Sequence, residues 1–250
     1  MADYINTMLF GIYPYIALVV LLVGTIVRYD VDPYSWRSGS SQLLRRKQLV
    51  IGSICFHTGV LVILLGHVVG LLTPIFIFEA FGISHGAKQV LAVVVGGIAG
   101  VLALFGATLL AHRRLYDARI RANSTFSDNM IIILLWIQLV LGLMTIPISL
   151  QHLDGSEMVK FMSWAQGIFT FNSEASSYVQ GASIIFKLHL LLGMTILLLF
   201  PFTRLVHMLS VPIWFMLRPG YQIVRGRQKQ QAVSPRRRAR RETPPEAPAE

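Results

Sequence analysis

A single cysteine, Cys55, means that no disulfide can close within this chain, and in its apolar setting that residue reads as a small core side chain. Charge is scarce as well: 14% of the 250 residues are Asp, Glu, Lys or Arg, against 54% hydrophobic. Acids are the scarcest of these, 12 against 22 basic residues. The sequence also lacks the segments of about ten residues with alternating polarity that a membrane β-barrel requires, which excludes that architecture. The first apolar run has Asp3 where a signal peptide would be basic, and no small-residue cleavage site closes it. It is expected to be a retained helix.

What is present is a set of five apolar stretches, each long enough to cross a bilayer at about 20 residues per helix. They run roughly from Asp3 to Val27, Val50 to Leu72, Gln89 to Ala111, Asp128 to Leu150 and Ser183 to Met208. The expectation is an all-α, polytopic membrane protein, a five-helix bundle over residues 1–224. A tail over 225–250, first basic and then rich in Pro and Glu, lacks the apolar content to fold.

The basic residues are unevenly placed. Five lie between Arg28 and Lys47, four between Arg113 and Arg121, and ten from Arg204 onward; the other connections hold only Lys88, Lys160 and Lys187. By the positive-inside rule the N-terminus faces out and the C-terminus faces the cytoplasm. The charge of +10 therefore reads as orientation and attraction to anionic lipid, not as nucleic-acid binding.

Four of the seven histidines, His57, His67, His189 and His207, fall inside these apolar stretches, where an ionisable side chain marks a functional site. His57 and His67 are about 15 Å apart along a helix, and His189 and His207 about 27 Å. The two spans run antiparallel, so His57 shares the cytoplasmic end with His207, and His67 the outer half with His189. Two histidines on each of two helices can clamp two haems, one above the other. The lengths disagree unless the second helix bends, and Pro201, six residues before His207, predicts a kink near Phe200. Proton relay is the competing use of membrane histidines. Zinc is disfavoured, because its ligands gather around one ion.

Other residues carry weaker signals. Arg204 lies three residues before His207 and is expected to meet a haem propionate; Arg45, Arg46, Arg113 and Arg114 lie at the same level. His85, His112 and His152 sit in connections or at span ends and read as solvated. Gly52, Gly59 and Gly66 recur every seven residues and are expected to pack against a neighbouring helix. Lys88 begins the third span on the outer side, against the charge rule. Snorkelling to the interface accounts for it, and so does a hydrogen bond to a quinone carbonyl near His67.

Several stretches carry a family likeness: Ile12-Tyr13-Pro14-Tyr15-Ile16, Arg28-Tyr29-Asp30, Gly66-His67, Leu72-Thr73-Pro74, Gln151-His152 with Asp154-Gly155-Ser156-Glu157-Met158, and Leu198-Leu199-Phe200-Pro201-Phe202. With them the chain, from about Met8 to Arg227, resembles the gamma subunit of membrane-bound respiratory nitrate reductase. That family is a quinol-oxidising di-haem cytochrome b of the bacterial inner membrane. The resemblance implies two b-type haems, one held by His57 and His207 near the cytoplasm and one by His67 and His189 near the outer face. It also implies a quinol site near Gly66, His67 and Lys88, although Phe81 to Ala87 departs from the family pattern by an inserted residue. The implied partners are an iron-sulfur beta subunit and a molybdenum-containing alpha subunit that reduces nitrate. A hydrogenase or formate dehydrogenase module is the alternative partner.

Overall fold

The computed structural model describes residues 2–36, 44–151 and 153–210. The tail beyond Ser210 and His152 lie outside the described residues, and so do the sequence expectations for them.

Among the described residues the chain is helical and contains no strand. The helices are α1 (Ala2–Thr7), α2 (Tyr13–Val31), α3 (Arg46–Leu72), α4 (Ile75–Ala80), α5 (His85–Tyr116), α6 (Ala118–Ala122), α7 (Phe126–Ser149), α8 (Ser156–Phe169), α9 (Ser177–Gln180) and α10 (Ile184–Leu199). Five segments are long and apolar enough to cross a membrane: Asp3–Val31, Arg46–Leu72, His85–Tyr116, Phe126–Ser149 and Ile184–Phe202. Their outer faces carry Leu22, Ile26, Ile54, Leu61, Leu65, Ile98 and Val101 exposed, as hydrocarbon contact requires.

Local chemistry sets the ends. The Ser84 hydroxyl accepts from the Ala87 N–H and starts α5; Thr125 and Asp128 form a reciprocal capping box that starts α7. The last span stops earlier than its apolar run. After Leu199 the backbone tightens into a 3-10 turn over Phe200–Phe202, extends at Thr203 (φ −119°, ψ 178°) and re-enters a 3-10 helix over Arg204–Ser210. Pro201 cannot continue the hydrogen-bond ladder. The break lies where the sequence predicts a kink.

α3 packs on α5, α5 on α7, α7 on α10 and α10 on α2. The α3–α5 contact is very close: a Cβ added at Gly59 would lie 2.5 Å from the Ala99 carbonyl, and one at Gly106 2.7 Å from the Gly52 carbonyl. Gly52 and Gly59 thus pack as expected, whereas Gly66, third in that stripe, meets nothing within 4 Å. α3 and α10, the helices that carry the histidines, are not close-packed neighbours.

The region between the last two spans, expected from hydropathy to be a connection, folds into α8 and α9. α8 buries Phe161, Trp164, Ala165 and Ile168, a helical spacing of three, one and three, against Phe10, Ala175 and Val179. It ties three spans together. The Trp164 indole N–H donates to the Phe10 carbonyl (2.9 Å), which lacks its usual helical partner because Pro14, four residues on, has no N–H. The Gln166 amide donates to the Leu71 and Thr73 carbonyls at the end of α3 (3.0 and 3.3 Å).

Trp164→Phe keeps an aromatic ring in the core but deletes that donor together with part of the buried indole. It is expected to cost about 1–3 kcal/mol by leaving a buried carbonyl unmet, seen as a lower Tm of the detergent-solubilised protein.

Candidate functional site: two histidine pairs at two depths

α3 carries His57 and His67 ten residues apart; α10 carries His189, and the 3-10 segment after the break carries His207. The break lies between the last two, and the four rings meet as two pairs. The ring centres of His57 and His207 are 6.1 Å apart, with their planes at 74°. Those of His67 and His189 are 6.2 Å apart, with planes at 39°.

Three of the four rings share a hydrogen-bonding pattern. The Nδ1 of His57 donates to the Ser53 carbonyl (2.8 Å), that of His67 to the Ile63 carbonyl (2.8 Å) and that of His207 to the Arg204 carbonyl. A carbonyl can only accept, so Nδ1 holds the proton and Nε2 keeps its lone pair. The backbone thereby fixes both tautomer and ring orientation, the usual service of an outer shell to a metal-ligating histidine.

His189 is held differently. Its Nδ1 has no partner among the described residues, and its carbonyl accepts from the Gln138 amide of α7 (3.1 Å). A Cβ at Gly142 would lie 3.0 Å from its Cε1, so glycine makes room for the ring, and a Cβ at Gly193 would lie 3.2 Å from the Gln138 amide. Gln138 and Gly142 escaped the sequence analysis. A lone glutamine in the middle of an apolar span was the available signal.

The cations gather at the His57–His207 end. Arg204 pairs with Asp128 through Nε and Nη2, both 2.7 Å, and Arg114 reaches the same carboxylate at 3.3 Å. The Arg113 guanidinium is buried and donates to the Leu44 carbonyl (2.7 Å); Arg45 pairs with Asp117 at 2.8 Å. Asp117 lies beyond the span. Partial desolvation raises its pKa, but N–H donors from Ile120 and Arg119 and the charge of Arg45 outweigh this and hold it below the ordinary carboxylate value.

At the other end Lys88 is only 5% exposed. Its ammonium donates to the Gly70 carbonyl (3.0 Å) and lies 2.9 Å from the Met162 sulfur and 3.8 Å from the centre of the Phe78 ring. It therefore does not snorkel outward; it closes on the last turn of α3, three residues past His67. A cavity of about 190 Å³ opens beside His67, lined among others by Gln89, Thr145, Glu157, Met158 and Phe186. Lys88 does not line it. Of the histidines read as solvated, His85 lies 3.1 Å from the Glu79 carboxylate and His112 stacks on Tyr116.

Comparison with known proteins settles the family. Residues 6–227 match the nitrate reductase gamma subunit family. The chain belongs to that family. It is 50% identical over 225 residues to the respiratory nitrate reductase 1 gamma chain of Escherichia coli, covering 90% of this chain and 99% of that one. The corresponding figures for the second E. coli gamma chain are 49% over 227 residues, 91% and 100%. The Bacillus subtilis nitrate reductase gamma chain is 35% identical over 219 residues, 88% and 97%. This chain is a nitrate reductase membrane subunit, multi-pass in a bacterial inner membrane.

Asp128 is the acid shared by Arg204 and Arg114. Asp128→Asn is expected to destabilise the protein by about 1–3 kcal/mol, the range for leaving a partly buried charged donor poorly met, measured as a fall in Tm.

Proposed function

We propose that this gamma subunit is a quinol-oxidising di-haem cytochrome b, with one b-type haem between His57 and His207 and a second between His67 and His189. The ring spacing carries the reading. An imidazole nitrogen sits about 2 Å from a first-row metal ion, and a ring centre about 1.1 Å behind its nitrogen given ring bonds of about 1.3 Å. Two imidazoles on opposite sides of one iron therefore have centres about 6.2 Å apart, against 6.1 and 6.2 Å here. A direct N–H···N bond of about 3 Å would bring the centres within about 5.2 Å, so the pairs do not suit a direct proton relay.

When bound, the two haems would supply one-electron transfer, with His57 and His207 holding one and His67 and His189 the other. The residues of this chain do the rest. Carbonyls of Ser53, Ile63 and Arg204 hold three of the imidazoles with Nε2 presented. Arg204, fixed by Asp128, supplies positive charge at the level of the propionates of the first haem. The excess of basic residues at that end supports a cytoplasmic position for it, with the N-terminus outside.

Quinol is oxidised at the opposite, outer end, yielding quinone, two protons and two electrons. Gly66 leaves the surface beside His67 clear, and Lys88 holds a buried ammonium one turn further along α3 as hydrogen-bond donor to a substrate oxygen. The electrons leave at the cytoplasmic end for an iron-sulfur subunit, and from there for a molybdenum subunit that reduces nitrate. Relatives named as respiratory nitrate reductase chains favour those partners over a hydrogenase or formate dehydrogenase.

A reduced-minus-oxidised spectrum with quantified haem tests the ligands: two low-spin haems per chain in the parent, one in His67→Ala. An unchanged haem count in that variant removes His67 from the ligand set. Lys88→Ala is expected to keep both haems and lower the rate of quinol-dependent haem reduction about tenfold or more, the loss of one charge-assisted hydrogen bond worth about 1.5–3 kcal/mol. An unaltered rate removes Lys88 from the quinol site.

A further inference from the structure

We infer that Arg28 is a positioning residue for the cytoplasmic-side haem: it locks the break in the last span that aims His207 at His57. The inference rests on the haem reading above.

A helix that ends inside a membrane protein exposes carbonyls which its own chain no longer satisfies. Here the break centres on Thr203, the extended residue between two 3-10 turns and only 2% exposed. The carbonyls of Pro201 and Thr203 bracket this joint, and the Phe202 carbonyl between them accepts from the Ser127 hydroxyl (3.2 Å). One nitrogen of the Arg28 guanidinium, Nη1, donates to the Pro201 and Thr203 carbonyls, at 2.6 and 2.8 Å. The other two nitrogens are held by Ser35: Nε donates to its hydroxyl (3.0 Å) and Nη2 to its carbonyl (3.1 Å). Arg28 sits in the last turn of α2, where an anchoring arginine would ordinarily reach out to lipid headgroups. It turns inward instead.

The same face of α2 is shaped to the break. Gly24, one turn before Arg28, is so close to Pro201 that a Cβ would lie 2.9 Å from its Cγ. Beyond the joint Leu205 and Val206 are buried against Ile131, Ile196 and Phe200, and His207 follows at once. With the Pro201 and Thr203 carbonyls on one guanidinium, the peptide planes 201–202 and 203–204 cannot turn independently. The direction of the 3-10 segment, and with it the plane of the His207 ring, is set. A guanidinium suits this task because its donors are coplanar and pre-arranged, whereas an ammonium is a point charge on a flexible stem.

The test uses the full nitrate reductase complex in its own membranes, with haem quantified and the ferric low-spin haems recorded by electron paramagnetic resonance. That signal depends on the angle between the two axial imidazole planes, so it reports ring rotation that a loss of stability alone would not produce. His207→Ala assigns the cytoplasmic-side signal. Arg28→Gln is expected to retain two haems per chain, to shift that signal and to leave the outer one unmoved. Arg28→Lys keeps the charge and is expected to shift the same signal by a smaller amount. Gly24→Ala presses on Pro201 without touching Arg28 and is expected to shift it also, which keeps the test decisive where Arg28→Gln does not assemble.

Unmoved signals in Arg28→Lys and Gly24→Ala, with two haems present, overturn the positioning role and leave the haem reading standing. A parent complex with no haem in this subunit overturns both.

Discussion

In a bilayer no water is at hand to satisfy a polar group, so each departure from regular helix has to be met by a donor or acceptor from elsewhere in the protein. That constraint accounts for the long-range hydrogen bonds at two places in this bundle. Pro14 and Pro201 each interrupt a span, and in both places a side chain from a distant element supplies the missing hydrogen bond: the indole of Trp164 at Phe10, the guanidinium of Arg28 at Pro201 and Thr203. The second interruption matters more for function. On a straight helix, histidines eighteen residues apart would be about 27 Å apart, against about 15 Å for those ten residues apart on α3.

A second constraint is the uneven spacing of the helices. α3 lies against α5 with backbone nearly touching backbone at Gly59 and Gly106, and this closeness leaves α3 free to face α10 only through paired imidazoles. Small residues on one side of α3 and histidines on the other thus form a single device, in which tight packing behind fixes a set distance in front. The carbonyl one turn before each α3 histidine then determines which ring nitrogen faces across.

Much of this was legible in the sequence. The five spans, the break near Phe200 and the matching of histidines by depth all follow from hydropathy, helical rise and one proline. What escaped has physical reasons. α8 lies over the end of the bundle rather than across the membrane, so its apolar stripe at Phe161, Trp164, Ala165 and Ile168 is too short and too mixed for a hydropathy search, though its period is visible. Arg28 looks like any anchoring cation, because nothing local says that a cation will turn inward to carbonyls more than 170 residues away. Gly66 follows the heptad of Gly52 and Gly59 yet faces open space, and spacing alone does not show where along α3 the close contact ends. Lys88 joins α5 to the end of α3, to α4 and to α8, and none of its partners adjoins it in sequence.

The first span has its partners at the far end of the chain. Asn6 donates to Ser176, Tyr13 bonds with Thr195, and Arg28 waits for Pro201 and Thr203. Synthesis runs from the N-terminus, so this helix enters the membrane before any of these groups exist. It must persist alone in lipid until roughly the last quarter of the described chain emerges. Its mean hydropathy of 2.3 over a membrane-length window suits that interval. The first span thus packs against the last, and the final span arrives to a partner already embedded, whose arginine is in place to receive the break as it forms.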